Sequence, residues 1–167
     1  MQNRHGSRGV TLIELCFGLA VLGILAGLAV PGMRTALRNA AVRSATLELL
    51  AGLQQARASS ITQARPGVLC LSDISGRCLT GSGPAVAWSA FLEGRGSTAA
   101  LAGGPLPRGL ELRATRARLS FWPDSLGSST ATLTICDRAG LARPRAIVLS
   151  QTGRVRIADA AVGACDA

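Results

Sequence analysis

The chain has 167 residues and a formal net charge of +9, and all 18 of its basic residues are arginine. That excess favours anionic partners, nucleic acid or lipid headgroups. The single histidine, His5, lies at the extreme N-terminus, and the carboxylates Asp73, Glu93, Glu111, Asp124, Asp137, Asp159 and Asp166 are scattered without an acid–base pair motif. Removal of the N-terminus would exclude every histidine-dependent nucleophile, base or metal site. No catalytic residue, metal ligand or cofactor is assigned, and the chain is read as a non-enzyme.

In chain order, residues 1–9 (MQNRHGSRG) are polar and basic, and residues 10–30 (VTLIELCFGLAVLGILAGLAV) are apolar except for Glu14. As a helix this run spans about 30 Å, enough to cross a bilayer core. Arg4 and Arg8 favour a cytoplasmic N-terminus, an argument blunted by Arg34, Arg38 and Arg43 on the other side. A signal anchor, a secretory signal peptide cut after Ala29 and a prepilin all fit the hydropathy. Glu14 separates them. A carboxylate in an apolar segment costs about 2.5–3.5 kcal/mol on insertion scales. An anchor or signal peptide gains nothing from it, whereas a filament subunit can pair it with a neighbour's N-terminal amine.

The run Arg8-Gly9-Val10-Thr11-Leu12-Ile13-Glu14 resembles the type IV prepilin signature, with Val10 where the family usually has Phe. The resemblance implies cleavage by a prepilin peptidase after Gly9, N-methylation of Val10 and a role for Glu14 in assembly. It also implies assembly with other major and minor pilins. The expected location is the bacterial inner membrane, as a single-pass chain in contact with its lipid, with a periplasmic domain.

Past Pro31 the pattern becomes amphipathic. Met33, Leu37, Val42, Leu49, Leu50, Leu53 and Ile61 recur at helical spacing, with Arg34, Arg38, Arg43, Glu48 and Arg57 between them. The helix is expected to end near Gln63, before the breaker Arg65-Pro66-Gly67. The organisation expected is therefore a leader at 1–9, a transmembrane half-helix at 10–31, an amphipathic half at 32–63 and a β-rich globular domain at 64–167.

From Gly67 the period shortens. Candidate strands are 68–71, 86–92, 110–113, 118–122, 130–136, 146–150 and 154–158, separated by Gly, Ser and Pro turn signals. The stretch 93–108 has no strong period and reads as a long surface loop. The fold class is α+β, a pilin fold, with a small antiparallel sheet pair packed on the long helix. Cys70, Cys78, Cys136 and Cys165 are an even number in an exported domain and read as two bridges. Cys70–Cys78 with Cys136–Cys165 is the simplest of the three possible connectivities. By loop entropy the two would contribute about 2.5 and about 3.6 kcal/mol.

The span 130–156, reading ATLTICDRAGLARPRAIVLSQTGRVR from Ala131, is similar to the C-terminal region of the FimT/GspH family of minor pilins and pseudopilins. One branch comprises pseudopilins of type II secretion. The other comprises minor pilins, some of which bind DNA in natural transformation and carry a Gly-Arg-x-Arg motif. Here that motif is Gly153-Arg154-Val155-Arg156.

The motif also has a physical reading of its own. Residues 151–153 make a hairpin loop with a glycine available for positive φ. Arg154 and Arg156 then share one strand face about 7 Å apart, near a phosphate repeat, while Val155 and Ile157 are expected to face the core. Arg143 and Arg145 are expected to extend the patch. Guanidinium forks suit phosphate oxygens. With no Tyr, two Trp and three Phe, a stacking platform for single strands is poorly supplied. The expected function is that of a minor pilin that binds double-stranded DNA non-specifically through its phosphate backbone. The alternatives are a GspH-like pseudopilin and an assembly-priming minor pilin without DNA binding.

Overall fold

The computed structural model describes residues 11–81, 83–94, 97–124, 127–161 and 163–165. Helix α1 (Leu12–Gln63) runs unbroken for 52 residues, through Pro31. Thr11 caps its N-terminus: the Thr11 side chain accepts from the Glu14 backbone N–H, and Glu14 Oε2 accepts from Thr11 N at 3.0 Å and from Thr11 Oγ1 at 2.9 Å. This capping box satisfies backbone donors that a helix start otherwise leaves open. The helix ends at Ala64, which takes the left-handed conformation with φ 46°.

The first half of α1 is exposed throughout, while Val42, Ala45, Leu49, Leu53, Ala56 and Ser60 of the second half are buried. Their three- and four-residue spacing places them on one stripe. That stripe lies against two four-stranded sheets. The first contains β1 (Gly67–Ser72), β2 (Ala87–Gly94), β3 (Ser97–Pro105) and β5 (Arg118–Phe121), in the order β3-β2-β1-β5. The second contains β4 (Leu110–Ala114), β6 (Ala131–Asp137), β7 (Arg145–Leu149) and β8 (Val155–Asp159), in the order β4-β6-β7-β8. All pairings between these strands are antiparallel.

Between helix and sheets lies one core that includes Leu69, Leu71, Trp88, Leu112, Leu119, Phe121, Leu133, Ile135, Ile147 and Leu149. The helix packs tightly on the first sheet at Gly52, where an added Cβ would run into the Trp88 ring. Cys70 is bonded to Cys78 and Cys136 to Cys165, the simplest connectivity. The second bridge holds the C-terminal tail against β6.

The long surface loop expected over 93–108 is corrected by the structure. Most of it is β3, a nine-residue edge strand paired with β2. Its sequence, STAALAGGP, has one β-branched residue, Thr98, and no aromatic, so it carries little of the pattern that marks a strand; it pairs with β2 along its length. Outside the helix stripe, Arg118 pairs with Glu93 and lies 5.7 Å from the Phe91 ring centroid. On the second sheet, Glu111 is held between Arg113 at 2.7 Å and Arg138 at 3.2 Å.

Candidate nucleic-acid interface

β7 and β8 are joined by a tight turn. Gly153 N–H donates to Ser150 O at 2.9 Å, and Ser150 N–H donates to Arg154 O at 3.0 Å. Gly153 has φ 74°, which closes the hairpin without the Cβ clash an L-residue would suffer. The turn is braced on every side. Ser128 N–H donates to Gln151 O, Ser128 Oγ donates to Ser150 O, and Arg154 N–H donates to Ser150 Oγ at 3.2 Å.

The strongest brace comes from the helix. Arg57 Nη1 donates to Gly153 O at 2.9 Å and Arg57 Nη2 to Thr152 O at 3.2 Å. The guanidinium lies so close over the turn that a Cβ at position 153 would sit 3.0 Å from Arg57 Nε. The glycine thus serves the turn conformation and the seat of Arg57 together. In the sequence Arg57 reads only as a polar position on an amphipathic helix. Its partners lie 96 and 95 residues away, so no local signal could have found it.

Arg154 and Arg156 are both exposed, and neither guanidinium has an ion-pair partner among the described residues. Arg156 stands opposite Val148, and Arg154 opposite Ser150. Strand alternation therefore puts both on the face of the second sheet turned away from the helix. Val155 and Ile157 take the other face, but the expectation that both enter the core needs correction. Val155 is half-buried against the core, whereas Ile157 remains 40% exposed. β8 is an edge strand of the second sheet, with a neighbour only in β7.

The expected extension of the patch is also corrected. Arg145 pairs with Asp159 at the opposite end of the hairpin, and their carboxylate–guanidinium distance is 3.6 Å. Arg145 shares a face with Ile147 rather than with Arg156, and lies about 10 Å along the strand from Val148. Arg143 precedes β7 and has its backbone N–H on Asn39 Oδ1 at 3.0 Å, near the base of the domain. Among the described residues, the hairpin tip therefore carries Arg154 and Arg156 without an ion-pair partner, on a turn positioned by Gly153 and Arg57. Along α1, Arg57 is about 40 Å beyond Val30, so the tip is the end of the domain remote from the apolar segment.

Gly9 and Val10, the expected processing positions, lie outside the described residues with the rest of the leader. Among the described residues no group of three or more His, Cys, Asp or Glu side chains could hold a metal ion. α1 is long and apolar enough at its N-terminal end to cross a membrane.

The sequence model of the family described as type II transport protein GspH matches residues 45–153. The chain belongs to the GspH family. Its fold is also found in solved structures. The type IV minor pilin FimU of Pseudomonas aeruginosa is 24% identical, with a TM-score of 0.52 over 70% of this chain and 87% of that one. The minor pseudopilin EpsH from the type 2 secretion system of Vibrio cholerae is 10% identical, with a TM-score of 0.52 over 71% and 96%. At these identities the likeness is one of fold. A search of curated protein sequences finds no match. With its apolar N-terminal helix, this GspH-family chain is a membrane-anchored pilin-like subunit.

Proposed function

We propose that this chain is a minor pilin that captures duplex DNA by its phosphate backbone at the β7–β8 hairpin. The observation that carries the reading is the pair of exposed guanidinium groups of Arg154 and Arg156, which have no ion-pair partner among the described residues. They sit on a turn anchored by Arg57 at the end of the domain remote from the apolar helix. A rigid seat lowers the ordering cost of each phosphate contact. Two contacts without base-edge readers make binding weak per subunit, sequence-tolerant and salt-sensitive. Uptake of DNA in natural transformation is the biological role that fits such binding.

In this reading a prepilin peptidase cuts after Gly9, Val10 becomes the N-methylated first residue, and Glu14 docks the subunit beside other pilins in the inner membrane. The domain then stands in the periplasm. Intact-mass measurement should give a chain starting at Val10; a start at Val30 would instead mark a secretory signal. Glu14→Ala should be cleaved normally yet enter filaments poorly, as measured by its share in sheared pili.

A second reading, a structural pseudopilin of type II secretion, is favoured by the description of the matching family and by the fold shared with EpsH. Full-length protein in nanodiscs of zwitterionic lipid separates the two. Retardation of duplex DNA at low salt that weakens as salt rises supports the pilin reading. Absence of retardation at low salt supports the pseudopilin.

A further inference from the structure

The base of the globular domain gathers arginines that the hairpin does not use. Arg34 and Arg38 are one turn apart on α1, on the face that continues upward as Val42, Ala45 and Leu49. Arg38 Nη1 donates to Arg108 O at 2.8 Å, which seats the loop between β3 and β4 against the helix. One residue further on, Asn39 Oδ1 accepts from Arg143 N–H and seats the loop between β6 and β7. Three elements thus converge, each bringing arginine to the same level.

Arg34, Arg108 and Arg143 are exposed, Arg38 is half-buried, and none of the four has a carboxylate partner among the described residues. The described acids at this end of the second sheet already have partners. Asp137 accepts N–H groups of Ala139, Leu141 and Ala142, Glu111 is held by Arg113 and Arg138, and Asp159 faces Arg145. Leu141, in the same loop as Arg143, is 46% exposed.

The height of this cluster is set by the helix. At about 1.5 Å per residue, Arg34 lies about 6 Å and Arg38 about 12 Å beyond Val30, the last residue of the apolar run. The headgroup layer of a bilayer is about 5–8 Å thick on each side, and an arginine side chain reaches several ångströms further. We propose that Arg34, Arg38, Arg108 and Arg143 form a collar that binds the phosphates of anionic phospholipid headgroups in the leaflet facing the domain. Leu141 would rest at the same interface. The collar holds the domain at a fixed height while the hairpin points away, and it does not depend on the hairpin binding DNA.

Native mass spectrometry of the full-length chain in detergent micelles, titrated with phosphatidylglycerol or phosphatidylcholine, tests this. An arginine near an anionic surface contributes about fivefold, so the parent should retain phosphatidylglycerol at least about tenfold more tightly. Replacing Arg34, Arg108 and Arg143 together by Gln should erase the preference, and replacing them by Lys should keep most of it. Intact bridges and an unchanged near-ultraviolet signal from Trp88 would show that the variants fold. A parent with no preference, or a Gln variant that keeps it, overturns the proposal. So does displacement of the lipid by inorganic phosphate at equal concentration, which would make the site one for free anions. A Gln variant that loses duplex DNA but keeps phosphatidylglycerol would reassign the collar to nucleic acid and overturn it equally.

Discussion

Gly153 joins two constraints at one residue, a positive φ and the close approach of Arg57. Gly153→Ala should therefore cost about 1–2 kcal/mol from the left-handed backbone alone, measured by chemical denaturation. It should also loosen the seat of Arg154, with a fall in DNA retention. An unchanged midpoint would mean that the turn tolerates a side chain there. Asp73 offers a second test at this scale. Its carboxyl accepts from Ser75 Oγ at 2.6 Å, Arg77 N at 2.9 Å and Ser75 N at 2.9 Å, inside the loop closed by Cys70 and Cys78. The Ser75 hydroxyl first, then the Arg77 amide, hold its pKa below the usual aspartate value. A lowered folded pKa means that this stabilisation is complete above the unfolded value and is lost as pH falls through the folded one. Asp73→Asn should therefore lower thermal stability at neutral pH and flatten its decline in acid. An acid limb identical to the parent's would show that Asp73 adds nothing to it.

Two places in α1 decide how the helix meets the sheets. Ala64 closes the helix in a left-handed conformation that glycine adopts without strain. Ala64→Gly should raise stability by about 1 kcal/mol, and a loss would contradict that account. Gly52 packs tightly against Trp88, and Gly52→Ala should cost about 1–3 kcal/mol by overpacking. Trp88 fluorescence should shift in that variant. The breaker Arg65-Pro66-Gly67 places the C-terminal end of α1 at Gln63, and the amphipathic spacing after Pro31 marks the face that packs. The branched and aromatic residues of 68–71, 118–122 and 130–136 likewise placed β1, β5 and β6. β3 is hard to read because Ser, Ala and Gly carry no apolar alternation; its register is set by pairing with β2. Ile157 departs from expectation because period-two alternation says which side a residue takes, not whether that side is covered at an edge strand.

Over the whole molecule, six of the arginines stand at two levels along the helix. Arg154 and Arg156 stand at the tip near Arg57, and Arg34, Arg38, Arg108 and Arg143 at the base near Asn39. The motif at 153–156 and the even number of cysteines beyond the apolar segment were legible, because a tight hairpin and local pairing need only short-range information. The separation of Arg143 from Arg154 was not. It depends on β7 and its loop carrying the two residues to opposite ends of the hairpin, with Arg143 at Asn39 and Gly153 at Arg57. With Arg143 and Arg145 removed from the tip, two phosphate contacts remain. Each phosphate contributes about 0.9 to the slope of log affinity against log salt, so the parent should show a slope of about −2 and micromolar or weaker affinity.

That slope, measured for the full-length chain in zwitterionic nanodiscs with duplex DNA, is the most direct test of the hairpin's role. Replacing Arg154 and Arg156 together by Gln should remove most binding and bring the residual slope close to zero. Circular dichroism should be unchanged, because both side chains are exposed. A folded double variant that binds duplex with the parent's affinity and slope would contradict the assignment.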